Sequence, residues 1–165
     1  RGEQSFDMVY SGTLGRPTVI PTLEGLAKMG FRIAVVGESG RRLTHPNIEH
    51  FGPQPLEIVY EIYSTARLGL NIVPDVYPYS FQDSTKVIEY CASGLGIVTT
   101  KYQWVDEFAQ ARGGNFLDVS RVLERGDVEN FPFKTPQVHD LEWSIVMERT
   151  NLANHVAAML AKRNR

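Results

Sequence analysis

The chain has 165 residues, 42% of them hydrophobic and 22% charged, which suffices for a globular core without metal or disulfide staples. A net charge of −2 excludes the strongly basic surface that a nucleic-acid partner requires, and a lone cysteine, Cys91, excludes an internal disulfide framework and fits a reducing, cytoplasmic compartment. No apolar run of about eighteen residues marks a membrane span, and the opening Arg1-Gly2-Glu3 carries no signal-peptide pattern, so residues 1–165 read as one domain cut from something larger.

Phe6 to Ser11 (FDMVYS) predicts a short apolar strand that stops at Gly12. Thr13-Leu14-Gly15-Arg16-Pro17 is a turn. A helix then runs from about Thr18 to Met29, with Val19, Ile20, Leu23, Leu26 and Ala27 on one face. Pro21 fits only its first turn, where the missing N–H had no partner to lose, and Gly30 ends it. Phe31 to Gly37 is the clearest strand, rich in β-branched residues and closed by glycine. The polar stretch Glu38 to Asn47 is loop-like, and Ile48 to Phe51 is a brief strand closed by Gly52-Pro53. A helix from about Pro55 to Ala66 turns Val59, Ile62, Tyr63 and Ala66 inward, and Leu68 to Val73 is a further buried strand that Pro74 ends.

Ser80 to Thr100 (SFQDSTKVIEYCASGLGIVTT) is the most informative stretch. Its polar entry leads into a short amphipathic helix, a stop at Gly94 and the buried strand Ile97-Val98. Asp83 or Ser84 can cap that helix by accepting a first-turn N–H. The N–H groups left over, with the positive end of the helix dipole behind them, suit an anion such as phosphate. Lys86 adds a full charge there. Glu89, one turn on, can accept from a sugar hydroxyl, although the same two residues can equally form a solvent-screened ion pair with each other.

Val105 to Ala111 suggests a helix, Gly113-Gly114 a turn and Asn115 to Val119 an edge strand. Residues from about 126 to 137 read as a loop. The terminal helical region covers roughly Leu141 to Lys162, with Ile145, Val146, Leu152, Val156, Met159 and Leu160 as candidate core positions. The alternation of strands and helices predicts an α/β, Rossmann-like doubly wound parallel sheet of five to six strands with helices on both faces. Ligands of such sheets bind beyond the carboxyl ends of the strands, which directs attention to the loops after the first, third and fourth strands. No Asp-x-Asp occurs, and His45, His50, His139 and His155 show no ligand spacing, so no metal and no cofactor is expected. The histidines read as surface or capping residues.

The order of these features resembles the C-terminal, donor-binding domain of GT-B-type glycosyltransferases of the group 1 type. The matching run starts at YSGTLG, continues through FRIAVVGES, NIEHFGPQP and YSTARLGLNIVPD, and ends with STKVIEYCASGLGIVTT and the tryptophan-bearing LEWS. Its most specific part is Lys86-x-x-Glu89-Tyr90-x-x-x-Gly94 followed by Ile97-Val98-Thr99. The resemblance implies that Ser84, Thr85 and Lys86 hold the diphosphate of a nucleotide sugar and that Glu89 takes its ribose hydroxyls. It places Phe51-Gly52-Pro53 along the nucleobase and lets the donor approach the backbone at Gly12 and Thr13. It further implies a glycan or lipid-linked acceptor in polysaccharide or glycoconjugate synthesis, and an N-terminal domain, absent here, that carries most acceptor groups. Uridine is the base favoured, being common among such enzymes.

Two positions depart from the family pattern. The Glu that many members carry eight positions before the helix Glu is Phe81 here, and Gly-Arg-Leu after the first strand is Gly12-Thr13-Leu14, leaving Arg16 as the nearby cation. Tyr77 and Tyr79 are candidates for the sugar half of the site by stacking or hydroxyl contacts, though tyrosines in a loop also serve packing. Catalysis by Lys86 and Arg16 would consist of stabilising the departing diphosphate. The isolated chain is expected to bind nucleotide weakly and to transfer nothing, with part of the Trp143-bearing terminal helix left exposed. Rival readings are a non-catalytic nucleotide-binding or regulatory module of the same fold, a nucleotide-sugar epimerase, and a dinucleotide oxidoreductase. The last is disfavoured because Gly12-Thr13-Leu14-Gly15 lacks the third glycine of the phosphate fingerprint. Lys162-Arg163-Asn164-Arg165 reads as a solvated helix end, with a peripheral contact to an anionic membrane surface as the alternative.

Overall fold

A computed structural model describes residues 5–40, 43–151, 154, 156 and 159. Six strands, β1 (Phe6–Ser11), β2 (Ile33–Val36), β3 (Ile48–Gly52), β4 (Ala66–Asn71), β5 (Gly96–Thr99) and β6 (Leu117–Asp118), form one sheet in the order β3-β2-β1-β4-β5-β6. Every pairing between them is parallel. This is the doubly wound α/β sheet expected from the strand–helix alternation. Its strand order reverses between β1 and β4, so the crevice lies at their carboxyl ends.

Successive strand residues face opposite sides, and both sides are covered. Met8, Tyr10, Val35, Leu68, Leu70 and Val98 point to one face, where α1 (Val19–Lys28) and α5 (Val119–Arg125) bury Leu23, Leu26 and Val122 against them. Val9, Ala34, Val36 and Ile97 point to the other, under α2 (Leu56–Ser64), α3 (Thr85–Ala92) and α4 (Gln103–Arg112). Pro21 does sit in the first turn of α1. At the carboxyl ends of β1, β2 and β3 the loops are laced side by side: Gly12 N–H donates to the Val36 carbonyl and Gly37 N–H to the Gly52 carbonyl, each at 3.0 Å. Gly37 has φ 137°, and any Cβ there would strike the Gly12 carbonyl, so that crossing demands glycine.

The elements depart from the sequence-based expectation in three places. β4 begins two residues earlier than predicted, because Ala66 already pairs with Phe6, and it ends at Asn71. Ile72 and Val73 are buried beyond the ladder. The expected edge strand at 115–119 shrinks to two residues. Asp118 then accepts the Ser120 N–H at 2.9 Å and so caps α5, a helix whose seven residues carry too short a pattern to be read as one. A bridge between Asn115 and Lys134 extends that edge with a stretch of the 126–137 loop.

The third departure is the terminal helix α6 (Trp143–Thr150), which follows a 3-10 turn at His139–Leu141 and ends where Asn151 turns left-handed. None of its residues is buried. Ile145 and Val146 are partly exposed and Val156 and Met159 are exposed, so the core role expected of these four is not fulfilled by the packing, while Trp143, 75% exposed, lies on a helix expected to be left partly uncovered. The apolar spacing there is that of a core helix, but among the described residues none of α6 is buried. Leu152, Leu160, His155 and the basic end fall outside the described residues. Among the described residues, no helix is long and apolar enough to cross a membrane.

Candidate functional site: a crevice between β1 and β4

The crevice is opened by a side chain. Tyr10 and Leu70 form the last pair of the β1–β4 ladder. Beyond it the fully buried Tyr90 of α3 inserts its hydroxyl, which accepts the Ser11 N–H at 2.9 Å and donates to the Leu70 carbonyl at 3.3 Å. One side chain thereby satisfies two backbone groups that strand pairing would otherwise have to satisfy. Its ring is packed so closely on β4 that a Cβ at Gly69 would collide with it, and it meets the Tyr63 ring edge-on at 5.1 Å. Burial drives the Tyr90 hydroxyl well above the usual phenol range, so it remains a neutral donor.

The start of α3 is fixed by a second buried network. Ser84 is the cap: its Oγ accepts the Val87 N–H at 3.3 Å while its hydroxyl donates to Asn71 Oδ1 at 2.9 Å. The Asn71 amide in turn donates to Thr99 Oγ1 at 2.9 Å and to the Tyr102 hydroxyl at 3.2 Å. All three of these last residues are buried, so the helix start is tied to the ends of β4 and β5 by groups with few alternative partners. Ser84 thus spends itself on the protein. The N–H groups of Thr85 and Lys86, which open the helix, have no acceptor among the described residues. Asp83, the other candidate cap, is exposed at the rim.

Around these N–H groups the crevice collects Gly12, Thr13 and Arg16 from the β1 side and Ser84, Thr85 and Lys86 from α3, six of the positions singled out in the sequence. Arg16 has no carboxylate partner among the described residues. Its guanidinium lies 5.2 Å from the ring centre of Tyr79 in the 3-10 turn Tyr79–Phe81, which places a cation at the mouth of the crevice. Tyr10, at the base, donates to the Thr13 carbonyl at 2.7 Å and shapes the turn that presents Arg16. Lys86 lines the crevice too, but its Nζ lies 2.8 and 3.0 Å from the two Glu89 carboxylate oxygens. The ion pair foreseen as an alternative use of these residues is therefore present. Glu89 also accepts the Tyr63 hydroxyl at 3.1 Å.

The remaining candidates are not gathered there. Phe51, Gly52 and Pro53 close β3, the outer strand, two places from β1, and the Phe51 ring packs edge-on against Phe6 at 6.0 Å. Tyr77 is 84% exposed outside the crevice, and Phe81 is exposed beside it. Of the histidines, His50 Nε2 lies 2.8 Å from the Gly37 carbonyl and His45 Nδ1 accepts the Asn47 N–H, so both serve loop structure. Tyr90, Asn71 and Tyr102 were not selected from sequence. The tyrosine of the Glu89-Tyr90 pair was visible in the motif, but Asn71 and Tyr102 acquire their roles through contacts some thirteen to thirty-one residues away.

Two predictions follow from this packing. Tyr90→Phe leaves the Ser11 N–H and Leu70 carbonyl unpaired, and urea denaturation should show a loss of about 1–3 kcal/mol. Burial also raises Tyr10 from 10.0 to about 12 and Cys91 from 9.0 to about 12, and it raises Tyr102 and Tyr63. Their protonated forms are favoured by folding, so that contribution is intact below the unfolded values and is lost as pH climbs toward the folded ones. Thermal melts should thus hold level up to about pH 9 and fall steadily between about pH 9 and 12.

No protein-family model and no curated protein matches the chain. Among solved structures it is similar to AviGT4, a glycosyltransferase involved in avilamycin A biosynthesis, with a TM-score of 0.56 and 16% identity over 79% of this chain. The chain spans 43% of the length of that protein. At this identity the likeness establishes a fold shared with a glycosyltransferase.

Proposed function

We propose that the chain is the nucleotide-sugar-binding domain of a GT-B-type glycosyltransferase, with a nucleoside diphosphate seated in the β1–β4 crevice. The observation that carries this reading is the pair of N–H groups at Thr85 and Lys86, which have no acceptor among the described residues, lie where the strand order reverses and are flanked by Lys86 and by Arg16, which has no carboxylate partner among those residues. Donors of that kind suit phosphate oxygens, and the fixed network behind Ser84 means that they need not be reorganised when a ligand arrives.

In glycosyl transfer the bond between the sugar and the diphosphate breaks, and the electron pair leaves with the diphosphate oxygen. The helix N–H groups, Lys86 and Arg16 would meet charge that is larger in the transition state than in the bound donor, which is the condition for lowering the barrier. Glu89 would take the ribose hydroxyls, and Gly12 and Thr13 would border the diphosphate. Gln82 and Asp83, which line the same crevice just after Phe81, offer hydrogen-bond partners for the transferred sugar in place of the glutamate that many GT-B transferases carry at the Phe81 position. Uridine is the base to test first. The acceptor, a glycan or lipid-linked sugar, would be held largely by groups of an N-terminal domain.

Calorimetry with uridine diphosphate tests the reading. Binding should weaken about tenfold in Lys86→Ala, the cost of losing one charge-assisted contact, while the melting temperature stays close to that of the parent chain. The chain by itself should show no transfer of sugar to acceptor. Equal affinity in the two proteins would remove Lys86 from the site.

A further inference from the structure

Lys86 is committed to Glu89 before any ligand arrives. Its Nζ reaches both carboxylate oxygens, at 3.0 and 2.8 Å, and the pair is only partly exposed. Glu89 is held from the far side by the Tyr63 hydroxyl at 3.1 Å. Tyr63 is fully buried and lies edge-on between Tyr60 and Tyr90, so the position of that hydroxyl is set by packing. The lysine is thus drawn one turn along α3, away from the N–H groups that begin it.

We propose that Glu89 determines specificity by withholding Lys86 from bare phosphate and diphosphate and yielding it to a nucleotide. This rests on the nucleotide-sugar reading of the same crevice. An inorganic diphosphate that takes Lys86 leaves the half-buried Glu89 carboxylate with the Tyr63 hydroxyl alone, and that lost partner is charged against its binding. A nucleoside diphosphate carries both halves of the exchange: its phosphates receive the ammonium group while its ribose hydroxyls donate to the vacated carboxylate. The ion pair is thereby a filter against the inorganic anions that the helix start and Arg16 would otherwise attract.

Titration calorimetry of inorganic diphosphate and of uridine diphosphate against the parent chain and Glu89→Gln separates the possibilities. Releasing the lysine should tighten inorganic diphosphate about three- to fivefold, the worth of a partly exposed ion pair. Loss of the charged acceptor should weaken uridine diphosphate about tenfold. The gain on inorganic diphosphate should vanish when Lys86→Ala is combined with Glu89→Gln. Glu89→Asp, which keeps the charge and shortens its reach, is the second variant, and should tighten inorganic diphosphate by a smaller factor. Uridine diphosphate binding with no gain on inorganic diphosphate in either variant would overturn the filter and leave the site intact. Tighter binding of both ligands would overturn the exchange with ribose. If neither ligand binds the parent chain or either variant, the nucleotide-sugar reading falls and the filter with it.

Discussion

The Tyr90 hydroxyl, shared between a β1 donor and a β4 acceptor, is the contact on which the crevice depends. A parallel sheet that continued its ladder past Tyr10 and Leu70 would close the gap between the two strands. A polar tip on a buried ring ends the ladder without leaving its backbone groups bare. The requirement propagates outward. The ring needs a bare backbone beneath it, which Gly69 supplies, and an edge to lean on, which Tyr63 supplies. Tyr63 then has its own hydroxyl free to hold Glu89, so the element that opens the crevice and the element that sets its charge belong to one packed cluster.

The start of α3 divides its donors between structure and ligand. Ser84 and Asn71 consume one N–H and anchor the helix to the sheet, while the next groups along are left facing the crevice. The cap is a neutral hydroxyl bound to a buried amide, so the capping contact itself adds no negative charge to those donors, although the exposed Asp83 lines the crevice beside it. Charge is likewise divided, since Lys86 is neutralised by Glu89 whereas Arg16 lies over the face of Tyr79 and has no carboxylate partner among the described residues.

Much of the fold was legible because parallel strands buried on both faces carry continuous apolar runs. Phe6–Ser11 and Ile33–Val36 need no distant information to be recognised. The capped helix at Ser84 was legible for the same reason, since a cap and its first turn are local. What could not be read depends on partners far along the chain. Asn71 looks like any polar strand end until Ser84, Thr99 and Tyr102 surround it. Phe51 was placed beside a nucleobase by the family resemblance; that β3, which carries it, is the edge strand two places from β1 is a matter of strand order, which sequence order does not reveal. The terminal helix failed in the opposite sense. Its apolar spacing is real, yet spacing states only that a face wants covering, and among the described residues none buries a residue of α6.

The most direct measurement is of the amide groups at the start of α3. Nitrogen–proton correlation spectra recorded while uridine diphosphate is added should show the Thr85 and Lys86 amides moving first and furthest, joined by Gly12 and Thr13 across the crevice. Movement confined to other parts of the chain, with the Thr85 and Lys86 signals unchanged at saturation, would contradict an anion seated at that helix end.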